Sequence, residues 1–335
     1  MKIEIPFRTY ASLFFAIIVA YIFVELRFQL LLLFIAIIIA MTLYSAETYF
    51  RKKRISRRII VPIIIFFYLG VLISIVFLII PAVVGQMMDL IDHLPEIKSQ
   101  ILSNQYANIL EQNVSGLINS SPEILTNARN YLGTLGKQTL GGMFDLGILF
   151  ISSMYMFLDG PRSYKWCRMH FPDKIKQKLD RTVEEIEPIM AAYVFGQVTT
   201  STIAATIVYF TAKMLHIPAP LTLAFLAALF DILPGIGLIL IIITASVLAL
   251  AISLKAAFTI SIVLVAYQLF ESYILTPYIY GSRMKLSPLV VLVSLILAGT
   301  VGGVTAMIAV LPIVASYSTI ERLWLKDLKA SGKQF

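Results

Sequence analysis

Two acidic side chains stand in stretches of sequence that are otherwise almost entirely apolar. Asp231 interrupts the apolar block 214–254, and Glu271 directly follows the apolar stretch 256–270. Because an ionised carboxylate is costly inside a bilayer, acids in such positions usually bind a substrate or an ion, or carry protons. They could instead cap a broken helix or pair with a neighbouring donor. The sequence therefore marks both acids as candidate substrate- or ion-binding residues.

Further polar side chains accompany the two acids. Gln268 lies three residues before Glu271, and Gln197 lies within the apolar stretch 188–212. Hydroxyl-bearing residues stand close by, at Thr199, Thr200, Tyr267 and Tyr273. Their donors and acceptors would suit a hydroxylated neutral solute, although a threonine in a membrane helix often bonds only to its own backbone.

Other classes of site fit the sequence poorly. The three histidines, His93, His170 and His216, have no metal-ligand spacing, and no glycine-rich phosphate loop ending in Gly-Lys-Ser or Gly-Lys-Thr is present. The single cysteine, Cys167, cannot form an internal disulfide. We therefore expect a protein that is not an enzyme and that binds no metal, no other cofactor and no nucleic acid.

The composition places these residues in a membrane protein. Of the 335 residues, 59% are hydrophobic and 14% are charged, against roughly 25% charged in soluble proteins. A bilayer-spanning helix needs about 20 mostly apolar residues. Suitable stretches lie at 9–24, 28–46, 59–88, 138–158, 188–212, 214–254, 256–270 and 286–320. The predicted fold class is an all-α polytopic membrane protein with about eight membrane segments.

Basic residues predict how the chain is oriented. Residues 51–58 carry six basic side chains and residues 159–187 carry seven, whereas residues 89–137 carry three. Lys and Arg collect in the cytoplasmic loops of membrane proteins. The net charge of +8 is thus a topology signal rather than a nucleic-acid site. We expect 89–137 to be external, and both termini to be on the cytoplasmic side of the cell membrane.

The predicted organisation follows from these spans and charges. A tight helical hairpin is expected at residues 25–27, where three residues separate the first two apolar stretches. The parts are N-terminal scaffold spans 1–84, external amphipathic helices 85–137, a fourth span 138–158, a cytoplasmic amphipathic connector 159–187, a transport unit 188–320 and a cytoplasmic tail 321–335.

The last third of the chain contains an internal repeat, because residues 188–254 align with residues 256–320 at an offset of 68. Each copy contains an apolar helix that begins at a proline and is soon interrupted. The interruptions hold Pro234, Gly235 and Gly237 in the first copy, and Gly299, Gly302 and Gly303 in the second. Proline and glycine leave backbone groups unpaired, and at membrane depth such groups survive only when they are buried in protein or line a wet cavity.

Paired interruptions of this kind are typical of transporter binding sites. We predict an inverted-topology repeat in which both interrupted blocks form broken or re-entrant helical hairpins. Two further full spans are the alternative topology. Gly302 and Gly303 could instead allow close packing between helices. The predicted site therefore combines the residues of both interruptions with Gln197, Asp231, Gln268 and Glu271.

A set of short motifs lies between residues 157 and 290. They are Phe157-Leu158-Asp159-Gly160, Tyr193-Val194-Phe195-Gly196-Gln197, Leu233-Pro234-Gly235-Ile236-Gly237, Gln268-x-x-Glu271 and Ser287-Pro288-Leu289-Val290. In this order the motifs resemble the autoinducer-2 exporter family of polytopic membrane proteins. The resemblance implies a homo-oligomer, a pentamer, in which a transport unit moves against a scaffold.

Three functions remain open under this resemblance. The leading expectation is a secondary transporter that exports a small polar solute such as autoinducer-2, by an elevator-like movement of residues 188–320. The alternatives are a sodium or lithium/proton antiporter, and a structural membrane scaffold that organises partners through residues 85–137. The expected partners are the lipid bilayer, a small polar solute or a monovalent cation with protons, and identical subunits.

Overall fold

The structure is a computed structural model, and it describes residues 7–79, 121–232, 237–250, 252–280 and 287–325, with isolated positions at 81, 84, 85 and 88. The described residues are almost entirely helical, and no strand occurs among them. Five described helical segments are long and apolar enough to cross a bilayer, and three shorter apolar helices accompany them. The predicted all-α polytopic fold is confirmed, while the number of membrane segments stays a prediction.

Ten α-helices and three π-helical turns make up the described part of the chain. The α-helices are α1 (Phe7–Glu25), α2 (Arg27–Lys52), α3 (Arg57–Ser74), α4 (Ser121–Met169), α5 (Asp173–Met214), α6 (Pro220–Asp231), α7 (Gly237–Leu250), α8 (Leu254–Phe270), α9 (Thr276–Tyr280) and α10 (Pro288–Ile320). The π-helical turns follow α3, α8 and α10, at Ile75–Ile79, Glu271–Leu275 and Glu321–Leu325.

The hairpin predicted at residues 25–27 does not occur in the structure. The Leu26 amide donates to the Ile22 carbonyl and the Leu30 amide donates to the Leu26 carbonyl, both at 2.9 Å. These are helical i to i−4 bonds, so α1 runs on into α2 rather than reversing. The physical reason is that Glu, Leu and Arg are all good helix formers, and none of them favours a tight turn.

Two long helices continue across the boundaries that the sequence predicts between the parts of the chain. Helix α4 has 49 residues, which gives a length of about 74 Å, more than twice a hydrocarbon core of about 30 Å. It joins residues 121–137, the span 138–158 and the first part of the connector. Helix α5 has 42 residues and joins the rest of the connector to the span that begins at 188. Residues 89–120 of the predicted external segment lie outside the described residues.

Helix α4 continues through Gly160 and Pro161, although both residue types favour helix ends. On one side of them Phe157 is 1% exposed and packs in a core. On the other side the Tyr164 hydroxyl donates to the Asp180 carboxylate at 2.8 Å. Contacts on both sides hold the helix in one direction, so tertiary packing overrides the local preference.

Two clusters of buried apolar residues share no helix. One cluster joins the N-terminal helices and α4, through Ala40, Ile60, Ile64, Met154 and Phe157. The other joins α5 to α8 and includes Ala204, Val208, Ala212, Leu223, Ala227, Ile241, Ala245, Ala256, Ile260 and Leu264. Many of these residues are alanine, and small residues allow membrane helices to approach closely. The second cluster joins the helices that carry Gln197, Asp231 and Gln268.

The second half of α10 runs antiparallel to the first half of α5. The Tyr193 hydroxyl donates to the Ile308 carbonyl at 3.0 Å, and the Trp324 indole donates to the Thr182 hydroxyl at 2.9 Å. Arg322 forms an ion pair with Glu185 between these two contacts. Residue numbers rise along one helix as they fall along the other, so Leu325 ends beside the connector.

Candidate functional site

Asp231 is the last residue of α6, and its side chain points at α5. One carboxylate oxygen, Oδ2, accepts hydrogen bonds from Thr200 Oγ1 at 3.0 Å, Ser201 Oγ at 2.8 Å and Gln197 Nε2 at 3.0 Å. Residues spaced by three and four positions share one face of a helix, so all three donors project from the same side of α5. Asp231 is only 6% exposed, and these donors fix its position inside the protein.

Gln197 also satisfies the end of α6. Its Nε2 donates to the Asp231 backbone carbonyl at 3.0 Å. The last carbonyls of a helix have no partner within that helix, and at membrane depth water is scarce. One amide side chain therefore anchors both the carboxylate and the broken helix end, which explains a glutamine in the middle of an apolar span.

Glu271 opens the π-helical turn after α8, beside Asp231. Its carboxyl group lies close to the Asp231 carboxyl group. Two carboxyl groups can hydrogen-bond to each other only when one of them carries a proton. The pair is therefore a place where a proton can be held and released. π-Helical turns inside α-helices often occur at functional sites.

Two acceptor atoms at this position have no hydrogen-bond partner among the described residues. They are Glu271 Oε2 and Gln268 Oε1, and both atoms are buried. Gln268 uses its amide nitrogen to contact Ser272 Oγ at 3.1 Å. A buried acceptor without a donor costs free energy, and in native proteins such an atom usually faces a ligand, an ion or a water molecule.

The structure separates the hydroxyl-bearing residues that the sequence grouped together. Thr200 and Tyr267 face the site, and the Tyr267 hydroxyl donates to the Thr200 carbonyl at 3.1 Å. Thr199 is exposed and bonds to the Phe195 carbonyl of its own helix at 2.7 Å. Tyr273 is 77% exposed. The last two residues therefore point away from the Asp231 carboxylate.

The first interruption brings the ends of α6 and α7 together. A Cβ atom built on Gly237 would overlap the Phe230 carbonyl oxygen. No residue larger than glycine fits this close approach without movement of the backbone. Pro234 and Gly235 lie outside the described residues.

The second interruption packs against α2. Gly302 and Gly303 have non-helical backbone angles inside α10, and the φ of 61° at Gly303 favours glycine. A Cβ on Gly302 would lie 2.6 Å from Leu31 Cδ1. Gly299 faces the Met307 sulfur, at 3.3 Å from the position of an added Cβ. The predicted break is present, and Gly302 also makes the close helix contact that was its alternative explanation.

Sequence reasoning missed Ser201, the donor closest to Asp231. Its position four residues after Gln197 was the available signal, because the two side chains fall on one helix face. It also missed Glu47, which is 1% exposed and lies 3.2 Å from Arg57 Nε. The available signal was the run of basic residues 51–58 after Glu47, because it contains the arginine that pairs with this acid.

Comparisons with known proteins identify a family and several relatives. The model of the family described as AI-2E family transporter matches residues 10–326. The chain is 25% identical to YueF of Bacillus subtilis, over 94% of this chain and 92% of that protein. It is 23% identical to sll0060 of Synechocystis sp., over 71% of each chain. YrrI of B. subtilis is 25% identical over 43% of this chain and 41% of its own length.

All three relatives carry the name "Putative transport protein". The family match covers nearly the whole chain, including both interruptions and the Asp231 region. The described helices supply the apolar spans that a membrane transporter needs. The chain therefore belongs to the AI-2E family of membrane transporters.

Proposed function

We propose that this protein is a proton-coupled secondary transporter that exports a small polar solute, with autoinducer-2 as the first compound to test. The observation that supports it is that the Asp231 and Glu271 carboxyl groups lie close together, at the point where an interrupted helix meets α5. Such a pair can take up a proton on one side of the membrane and release it on the other. The unpartnered acceptors Glu271 Oε2 and Gln268 Oε1 can accept hydrogen bonds from a ligand.

The relative direction of the helices on either side of α6 and α7 supports a re-entrant hairpin for these two helices. Thr200 contacts Tyr267, and Gly196 contacts Tyr280, so α5 and the α8–α9 segment run antiparallel. Met214 and Leu254 then lie on the same side. The helices between them have 12 and 14 residues, or about 18 and 21 Å, and neither spans a hydrocarbon core of about 30 Å.

Cysteine labelling tests this topology. Cysteines introduced at Lys213 and Lys255 in a Cys167→Ser background are both expected to react with a membrane-impermeant reagent from outside. A cysteine at Lys285 is expected to react only from inside. Reaction of the Lys213 and Lys255 variants on opposite sides would replace the re-entrant hairpin with a full span.

The two separate apolar clusters support a division into a scaffold and a moving unit. Helices α2 to α4 share one cluster and α5 to α8 share the other. Neither cluster contains residues of the other. In this proposal residues 188–320 shift against the N-terminal spans by breaking the contacts of α2 with α5 and α10, while both clusters stay packed. In this proposal the protein is a homo-oligomer, a pentamer by family resemblance, in the cell membrane with both termini in the cytoplasm.

A specific observation favours antiport of a monovalent cation and protons as the second candidate. Glu271 Oε2 is a buried acceptor without a partner, and Gln268 Oε1, three residues earlier in the chain, is another. A dehydrated cation is coordinated by oxygens of this kind. The third candidate, a membrane scaffold acting through residues 85–137, makes no use of the carboxyl pair. Transport measurements separate the three.

Purified protein in liposomes is expected to move solute only when a pH gradient is imposed. Flux of autoinducer-2 would support the leading proposal, whereas sodium- or lithium-driven proton movement would support the antiporter. The control is the same liposomes with the gradient collapsed by an ionophore. If correctly folded protein moves none of these compounds in response to a gradient, the result would support the membrane-scaffold function.

A further inference from the structure

Tyr280 lies directly on the backbone of α5, in a notch made by a glycine. A Cβ built on Gly196 would fall 2.6 Å from Tyr280 Cε1 and 2.8 Å from Cζ, and also 2.9 Å from Ile279 Cγ2. Gly196 is buried in the interior of a regular helix, where glycine is less favourable than alanine. Its backbone angles do not require glycine. The glycine therefore serves to make room for the tyrosine ring.

The notch lies next to the Asp231–Glu271 pair, on the side that faces the cytoplasmic connector. Gly196 immediately precedes Gln197, which holds Asp231. Along α5, the connector end is marked by the contact of Glu185 with Arg322, and Gly196 lies between that contact and the donors to Asp231. The Tyr280 ring thus covers the site from the connector side.

The segment that carries Tyr280 is joined to the site by an irregular turn. The π-helical turn begins at Glu271 itself and ends at Leu275, and α9 follows it as a single short helix. A π-helical turn interrupts the regular ladder of α-helical hydrogen bonds, so it is a natural place for a hinge. Any change at the Glu271 carboxyl group acts on the first residue of this hinge.

We propose that Tyr280, seated on Gly196, is the gate that closes the connector side of the Asp231–Glu271 site. With the ring in the notch, water and solute are excluded from the pair on that side. Withdrawal of α9 about the π-helical turn opens the site to the cytoplasm. The purpose of such a gate rests on the proposed transport function. The gate itself can be tested without transport, by measuring access to the site.

The test measures which side of the membrane reaches the site. A reporter cysteine at Ser201 in a Cys167→Ser background is treated with a positively charged methanethiosulfonate reagent, in inside-out and in right-side-out vesicles. Tyr280→Ala is expected to raise the labelling rate in inside-out vesicles by about tenfold or more, since loss of a packed aromatic ring destabilises the closed position by several times RT. Labelling from the opposite side should not change.

Matched variants separate gating from packing. Tyr278→Ala removes a tyrosine of the same short helix that is 86% exposed, and it should leave labelling unchanged. Tyr280→Phe retains the ring and should also leave it unchanged. Gly196→Ala keeps Tyr280 but forces the ring from the notch, so it should raise labelling from the same side even if Tyr280→Ala assembles poorly.

An unchanged labelling rate in both Tyr280→Ala and Gly196→Ala would overturn the gate, as would increased labelling from the external side. A wild-type protein that transports none of the tested compounds would contradict the proposed function alone. The labelling result would still stand in that case, because it reports access and not flux.

Discussion

Asp231→Asn is expected to abolish gradient-driven transport while the protein still assembles. The substitution keeps nearly the same shape, and its amide oxygen can still accept the hydrogen bonds from Thr200, Ser201 and Gln197. It removes the group that can exchange a proton with Glu271. Solute flux in liposomes with an imposed pH gradient is the measurement, with size-exclusion chromatography to confirm assembly.

Glu271→Gln should have the same effect, because a proton relay needs both carboxyl groups. Asp145→Asn is the matched control, since it removes an acid from the apolar part of α4, away from the helices that form the site. If both site variants retain coupled transport, the two residues have a structural role and the proton-coupled mechanism is wrong. Loss in only one of them would identify a single coupling residue.

Gly237→Ala is expected to cause the second large effect, a loss of flux together with reduced stability. The added Cβ would overlap the Phe230 carbonyl oxygen, which belongs to the backbone and cannot rotate away. Overpacking of this kind costs about 1–3 kcal/mol or more. The ends of α6 and α7 must separate, and Asp231 at the end of α6 moves with them. Thermal unfolding in detergent and flux in liposomes measure the two effects.

Gly147→Ala is the control for the glycine variant. Gly147 lies inside α4 with nothing within 4 Å of an added Cβ, so alanine should be neutral or stabilise the helix by up to about 1 kcal/mol. Normal flux and stability in Gly237→Ala would show that the close approach is not needed.

Replacing Pro234, Gly235 and Gly237 together with alanine extends this test to the whole interruption. The triple variant should favour a continuous helix from α6 to α7, because proline and glycine disfavour helix by about 3 and 1 kcal/mol. Flux should disappear while the N-terminal cluster still assembles. A variant that fails to assemble would assign the interruption to packing, and one that transports normally would exclude it from the site.

Much of the fold follows from local rules that can be read along the sequence. Apolar length predicts membrane helices, and Pro220 and Pro288 predict where two of them begin. The glycines at 302 and 303 predict a break that the structure contains. Local rules failed at Leu26, where charged neighbours suggested a turn but three helix-forming residues continued the helix. They also failed at Gly160 and Pro161, where packing on both sides held α4 together.

The sequence by itself determined the membrane character and the candidate acids, because the cost of a charge in hydrocarbon and the length of a spanning helix do not depend on the partners of a residue. Only the tertiary structure decided which polar groups meet. Adjacent residues on a helix point about 100° apart, so Thr200 contacts Asp231 while Thr199 faces outward. Periodicity groups side chains onto faces, but packing against α6 and α8 selects the face of α5 that becomes the site.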